Sequence, residues 1–165
     1  LCATSRLLSA MKFEFLVDRP EAIHLVSRWY FEEWGRLSPN TSLYGIAKKI
    51  SQSMNKEKPP LLLLAVEEED VVGAAELKYR EMDIYPEREH WLGGLFVAPQ
   101  CRGSGIGSKL MERIFLLAEG FGIRTLYLQT ERLDGGLYAI HGWQPLDRVN
   151  YKGTNVLVMQ RHVGA

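Results

Sequence analysis

The stretch that most constrains this chain runs LFVAPQCRGSGIGSKLMERIF, Leu95 to Phe115. An apolar segment suited to a strand ends near Ala98. Gly103, Gly105 and Gly107 follow at alternate positions, and Ile106, Leu110, Ile114, Leu117, Ala118 and Phe121 then recur at helical spacing. A strand must therefore pass into a helix through a turn nearly stripped of side chains, so a βαβ unit organises the fold. The helix, starting near Ser104, points unpaired backbone N–H groups and the positive end of its dipole at the turn. Glycines remove side chains that would block an anion and permit positive φ. Arg102, Lys109 and Arg113 add positive charge nearby. The physical reading is a phosphate or pyrophosphate site. The alternative is a flexible turn whose glycines only pack close to a strand.

Two phosphate loops of fixed spacing do not fit. A P-loop needs G-x-x-x-x-G-K-[ST], and here Lys109 follows Ser108 and precedes Leu110. The dinucleotide fingerprint needs G-x-G-x-x-G, against G-x-G-x-G here. Charge narrows the partners further. Lys+Arg and Asp+Glu stand at 20 each, which argues against nucleic-acid binding as the main work, since that needs a basic surface. At 165 residues, 46% of them hydrophobic, the chain suffices for one domain with a real core. No apolar run reaches the roughly 18 residues that span a membrane, and LLLLAV (Leu61 to Val66) reads as a buried strand. Cys2 and Cys101 are too few for a disulfide framework. No bridge between them is expected, which indicates a reducing, cytoplasmic compartment. No metal-ligand set is read. Residues 1–10 make a poor signal peptide and read as a disordered leader or vector-derived residue before Met11, with the domain over residues 11–165.

Along the chain, Lys12 to Val17 alternates as a strand. Pro20 opens a helix ending about Gly35, and SPNTS (Ser38 to Ser42) caps a second helix carrying Leu43, Ile46, Ala47, Ile50 and Met54. Leu61 to Glu67 and Val71 to Tyr79 read as a hairpin, followed by a polar loop, Arg80 to Glu89. Trp91 to Ala98 is a strand whose Gly93 and Gly94 indicate a bulge or a close backbone approach. Gly120 and Gly122 stop the helix after the glycine turn. Arg124 to Thr130 is a strand, Leu137 to His141 a short helix, and Trp143 to Arg148 and Asn155 to Arg161 the last two strands. The order is βααβββαβαββ, a mixed α/β single domain.

What fits after LFVAP is R-x-x-G-x-G, as Arg102, Gly105 and Gly107, with LYAIHGW (Leu137 to Trp143) at a fitting distance. With these motifs and this element order, from about Phe13 to Arg161, the chain resembles a small bacterial-type member of the GCN5-related N-acetyltransferase (GNAT) superfamily. The resemblance implies a mixed central sheet flanked by helices, its strands splayed at an acyl-CoA site. It implies acetyl-CoA as co-substrate and direct transfer to an amine, without an acyl-enzyme. Main-chain groups of Leu95, Phe96 and Val97 are then expected along the pantetheine arm, with those of Phe96 and Val97 pairing with it. Backbone N–H groups across Arg102, Gly103, Ser104, Gly105, Ile106 and Gly107 are expected at the pyrophosphate, with the Ser108 hydroxyl beside them. Arg102 and Lys109 are expected to reach phosphates. The Gly93–Gly94 bulge would open the slot, and the Val97 N–H would polarise the thioester carbonyl.

Tyr138 matches the family tyrosine that protonates the leaving thiolate; an ordinary phenol, with its pKa near 10, arrives protonated. On spacing alone it reads as a core tyrosine beside Trp143. The strand before the turn, HWLGGLFV, has glycines where many relatives carry an acid. Glu76, a lone carboxylate on an otherwise apolar strand, is the leading base, although alternation leaves equal room for it on an outward face. Glu131 and His90 are lesser candidates, and His141 reads as a polar cap. Cys101 reads as filler. TERLDGGLY (Thr130 to Tyr138) departs from relatives that carry an Asn and an apolar pair there. That departure, with the missing strand acid, keeps open a non-catalytic acyl-CoA-binding regulatory module.

The acceptor, a small-molecule or peptide amine, would meet Trp29, Tyr30, Trp34, Tyr44, Tyr85 and Trp91 with Glu32, Glu33, Glu81, Asp83 and Glu87, a lining suited to a cation. The same residues also read as core aromatics and solvated surface acids. The final strands leave room for a homodimer.

Overall fold

A computed structural model describes residues 11–164; the expected leader, residues 1–10, lies outside them. Seven strands form one sheet in the order β1-β2-β3-β4-β5-β7-β6. They are β1 (Lys12–Phe15), β2 (Leu61–Glu67), β3 (Asp70–Tyr79), β4 (His90–Val97), β5 (Thr125–Thr130), β6 (Gln144–Tyr151) and β7 (Thr154–His162). The helices are α1 (Ile23–Trp34), α2 (Leu43–Ile50), α3 (Ile106–Gly120) and the short α4 (Gly136–Ile140). The element order is the one expected. Every pairing is antiparallel except β4 with β5, the junction that the glycine turn and α3 cross.

The sheet is covered on both faces, which explains the nearly unbroken apolar run of β2 and its burial. On one face α3 sets Ile106 and Leu110 against Gly73 of β3, where an added Cβ would come within 3.3 and 3.0 Å of them. On the other, Trp29 of α1 stacks on Phe96 of β4 at 5.1 Å between ring centres. A smaller cluster joins Met82 of the loop after β3 to Trp91 of β4 and to Val156 and Val158 of β7.

Local chemistry sets the ends. Ser42 caps α2 by accepting the Gly45 N–H at 2.9 Å. At the end of α3 the Gly122 N–H reaches Glu119 O and the Ile123 N–H reaches Ala118 O, with Gly122 at φ +78°. That paired return is a Schellman ending. Two expectations shift. β1 stops at Phe15, because a single 3₁₀ turn, Leu16–Asp18, drops Leu16 into the core. The expected loop between Arg148 and Asn155 is instead mostly strand. Lys152 and Gly153, at φ +51° and +88°, make a two-residue turn of the twist that hairpins favour, so β6 and β7 run up to it.

Candidate active site

The site is built on β4. Opposite β3 the register runs Ala74↔Phe96 and then Glu76↔Gly93, so β4 carries one extra residue against β3. This is the expected bulge, and Gly94 sits in it at φ +54°. On its other side β4 meets β5 only at Trp91↔Tyr127. Beyond that pair the two strands part, leaving a slot whose walls are the end of β4 and β5. The Ala98 N–H donates to Val72 O at 2.9 Å, on the β3 side. Since main-chain groups alternate between edges, Phe96 also faces β3 and Val97 faces the slot. The expectation that Phe96 would pair along the slot is thereby corrected. Its ring lies instead in the core between Trp29 and Trp34.

At the mouth of the slot lies the turn. Gly103 and Gly105 take φ +82° and +85°, and a Cβ at either would meet nothing within 4 Å. The Lys109 N–H, bonded to Gly105 O at 3.1 Å, makes the first helical bond of α3. The N–H groups of Ile106, Gly107 and Ser108 precede it and have no partner within the helix. An open bay ringed by such donors suits an anionic group. A Cβ at Gly107 would stand 3.6 Å from Leu137 and 3.7 Å from Val97, so α3, α4 and β4 converge there. The Ile106 side chain is buried, leaving only its main chain for the bay.

Three side chains of this region are engaged elsewhere. Arg102 folds back: its Nε donates to Val97 O at 3.0 Å and its guanidinium lies over the Phe96 ring. It therefore fixes the strand end and does not extend toward a phosphate as expected. The Ser104 hydroxyl donates to Cys101 O at 2.5 Å. Ser108 Oγ shares a 2.8 Å hydrogen bond with His141 Nε2, tying α3 to the end of α4. Cys101 is disulfide-bonded, against the expectation of an unbridged filler residue, and the cysteine argument for a reducing compartment falls with it. The chain's other cysteine, Cys2, lies outside the described residues.

The bulge is filled from the neighbouring strand. Glu76 of β3, only 5% exposed, faces α1 and α2, and its Oε2 would lie 2.8 Å from a Cβ at Gly94. The carboxylate that β4 lacks is thus laid over β4's own glycine. The Ser53 hydroxyl donates to Glu76 Oε1 at 3.2 Å. Lys78 Nζ stands 3.7 Å from Glu76 Oε2 and donates to Glu81 Oε1 at 2.8 Å. The Lys78 stem crosses Gly93, where an added Cβ would come within 2.8 Å of it. The Tyr30 hydroxyl donates to Gly94 O at 2.6 Å and pins the bulge.

Burial pushes the Glu76 carboxyl up, and the Lys78 charge opposes it. For Lys78, burial pulls downward, but Glu81 and Glu76 outweigh it and hold the ammonium raised. Tyr30 is pushed well up by burial and by both carboxylates. Tyr138, half-buried with its ring edge-on to Trp143 at 6.2 Å, is pushed up to about 12, chiefly by burial and then by the charge of Glu81.

The remaining candidates separate. Glu131 pairs with Arg36 at 3.7 Å, both exposed. His90 sits at the start of β4 against Tyr79, its pKa lowered by burial. His141 does close α4, and Arg161 Nε holds its carbonyl at 2.7 Å. Of the expected acceptor lining, Trp29, Tyr30 and Trp91 are buried, Glu32, Glu33, Asp83 and Glu87 are exposed, and Tyr44 is 78% exposed. Tyr85 is half-buried beneath Arg88; Tyr30 stays at the bulge, with Trp34 packed on it and Glu81 reaching it through Lys78. Sequence reading missed Lys78 and Ser53. Lys78 had a signal, standing two residues from Glu76 on the same strand face; Ser53 had none.

The site is thus a parallel pair splayed beside a bulge, with a glycine turn at its mouth. The Acetyltransferase (GNAT) family model matches residues 19–143, and the chain belongs to that family. No curated protein matches the chain. Solved structures share the fold. Aminoglycoside 6'-acetyltransferase type Ii is 19% identical, with 93% of this chain and 98% of that one covered and a TM-score of 0.72. An acetyltransferase from Streptococcus agalactiae is 17% identical, with 93% and 98% covered and a TM-score of 0.69. A GNAT acetyltransferase from Streptococcus pneumoniae is 17% identical, with 93% and 99% covered and a TM-score of 0.65. Among the described residues no helix is long and apolar enough to cross a membrane and no cluster suits a metal.

Proposed function

We propose that this acetyltransferase moves an acetyl group from acetyl-CoA to a primary amine of a small molecule or peptide, by direct attack in a ternary complex. The observation that carries the reading is the Glu76 carboxylate laid over Gly94 in the β4 bulge. It supplies a carboxylate where the strand acid is missing, one of the two features that had favoured a non-catalytic binding module. Glu76 accepts a proton from the incoming amine, directly or through a water. The Val97 N–H, on the slot edge, polarises the thioester carbonyl. As the N–C bond forms and the C–S bond breaks, Tyr138, protonated throughout the physiological range, gives its proton to the thiolate. The backbone groups of the bay, from Gly103 to Ser108, hold the pyrophosphate.

A thermal-shift titration with acetyl-CoA, coenzyme A, ATP and NAD tests the donor site. A ligand specific to the folded state adds about 2.7 kcal/mol at a hundredfold excess over its Kd. A shift with the two coenzyme A forms alone is expected. Tyr138→Phe then tests the chemistry in an amine panel: turnover should fall about a hundredfold with coenzyme A binding unchanged. Tight acetyl-CoA binding without acetylation of any amine at any pH would return the regulatory module as the better reading.

A further inference from the structure

Glu76 presents a physical difficulty that its neighbours resolve. A carboxylate this deeply buried is driven toward its neutral form, and a neutral acid cannot accept a proton. The groups that face it are few. Tyr30 comes from α1 and Ser53 from the turn after α2, both neutral at physiological pH. Lys78 lies on its own strand and Glu81 in the following loop, while β4 offers only Gly93 and Gly94. Lys78 is the one positive charge among them. Its placement is constrained from both ends, since the stem crosses Gly93 and the ammonium is anchored 2.8 Å from Glu81 while standing 3.7 Å from Glu76.

We propose that Lys78 is a positioning residue for the transfer reaction: anchored by Glu81 and admitted by the bare backbone of Gly93, it keeps the Glu76 carboxylate ionised at the bulge. The inference rests on the reading of Glu76 as the base and adds how that base stays available. Glu81 fixes the ammonium beside Glu76, although its own charge pushes the Glu76 carboxyl up. Gly93 is then glycine because the Lys78 stem occupies the space its side chain would take. An opposite charge at this range lowers a carboxyl pKa by about one to three units, against the upward push of burial on Glu76.

The test is a carbon-13 NMR titration of the glutamate side-chain carboxyls in the full chain, with the Glu76 signal assigned by its loss in Glu76→Gln. It needs no acceptor. Lys78→Met and Lys78→Gln should raise the Glu76 midpoint by about one to three pH units, and Lys78→Arg should hold it near the parent value. An unmoved midpoint in both neutral variants would overturn the proposal. Should those variants fail to fold, the double variant Lys78→Met with Glu76→Gln decides. If Lys78 serves the buried charge, removing that charge restores folding. A double variant no more stable than Lys78→Met alone overturns the role. The acetyltransferase reading fails by a separate route, an absent acetyl-CoA shift or an empty amine panel, neither of which enters this titration.

Discussion

At Gly94 an added Cβ would stand 2.3 Å from the Tyr30 hydroxyl and 2.8 Å from Glu76 Oε2; at Gly105 it would meet nothing within 4 Å. Both residues have positive φ, and both border the same slot. The first belongs to a crowded place and the second to an empty one. In β4 the glycines admit side chains from other elements, so that Glu76, Lys78 and Tyr30 are driven into the sheet where a strand residue would otherwise project. In the turn they keep side chains out, so that main-chain donors stay exposed to an external group. A glycine-rich segment is therefore two kinds of device, and substitution separates them.

Gly94→Ala should have the largest effect. The new methyl collides with the Tyr30 hydroxyl at a backbone angle that side chains disfavour, and overpacking of this kind costs about 3 kcal/mol with the αL strain added. Urea unfolding should show that loss; a variant as stable as the parent would mean that the bulge yields easily. Glu76→Gln follows, at about a hundredfold in turnover and with the fold kept, read in the amine panel. It also has a pH signature. The Glu76 pKa is raised in the folded state, so the folded chain holds the proton more tightly than the unfolded one. Its contribution to stability is complete below the ordinary carboxyl value and declines as pH rises toward the raised value. The stability of Glu76→Gln relative to the parent should improve across that window, and a pH-independent difference would contradict the raised pKa.

Gly105→Ala comes next, at about 1–2 kcal/mol of stability for a side chain at φ +85°, with weaker acetyl-CoA binding in the thermal-shift assay. The smallest effect on the fold is expected at Gly107→Ala. Its Cβ would make ordinary contacts with Leu137 and Val97 inside a helix, where alanine gains up to about 1 kcal/mol over glycine. Stability should hold or rise while acetyl-CoA affinity falls. Unchanged affinity would mean that the bay does not extend to this residue.

Much of the candidate site's geometry was legible in the chain. The turn motif, the bulge from two adjacent glycines and the lone carboxylate Glu76 are local signals, each set by a residue type at a position its neighbours define. What escaped were the partners of Glu76. Ser53 lies in a turn after α2 with no mark of its own, and Lys78, two residues along the same strand face, becomes a partner only through the way its stem crosses Gly93. The acceptor lining illustrates the same limit. Aromatic and acidic residues clustered in sequence were divided by the fold, with Trp29 and Trp91 taken into the core and Glu32 and Glu33 left on the surface. Composition does not say which way a side chain turns when two faces of a helix are both available.

The sequence by itself determined the order of strands and helices, the place where a strand gives way to a helix through bare backbone, and the family. These depend on hydrophobic period and on glycine, which act over a few residues. Only the tertiary structure decided that Arg102 turns back on Val97, that Phe96 belongs to the core and not to the slot, and that Glu76 lies over Gly94 with Lys78 and Glu81 beside it. Those outcomes depend on register between strands and on which helix covers which face. A one-residue bulge reassigns every group beyond it, and such a choice is made by packing across the whole sheet.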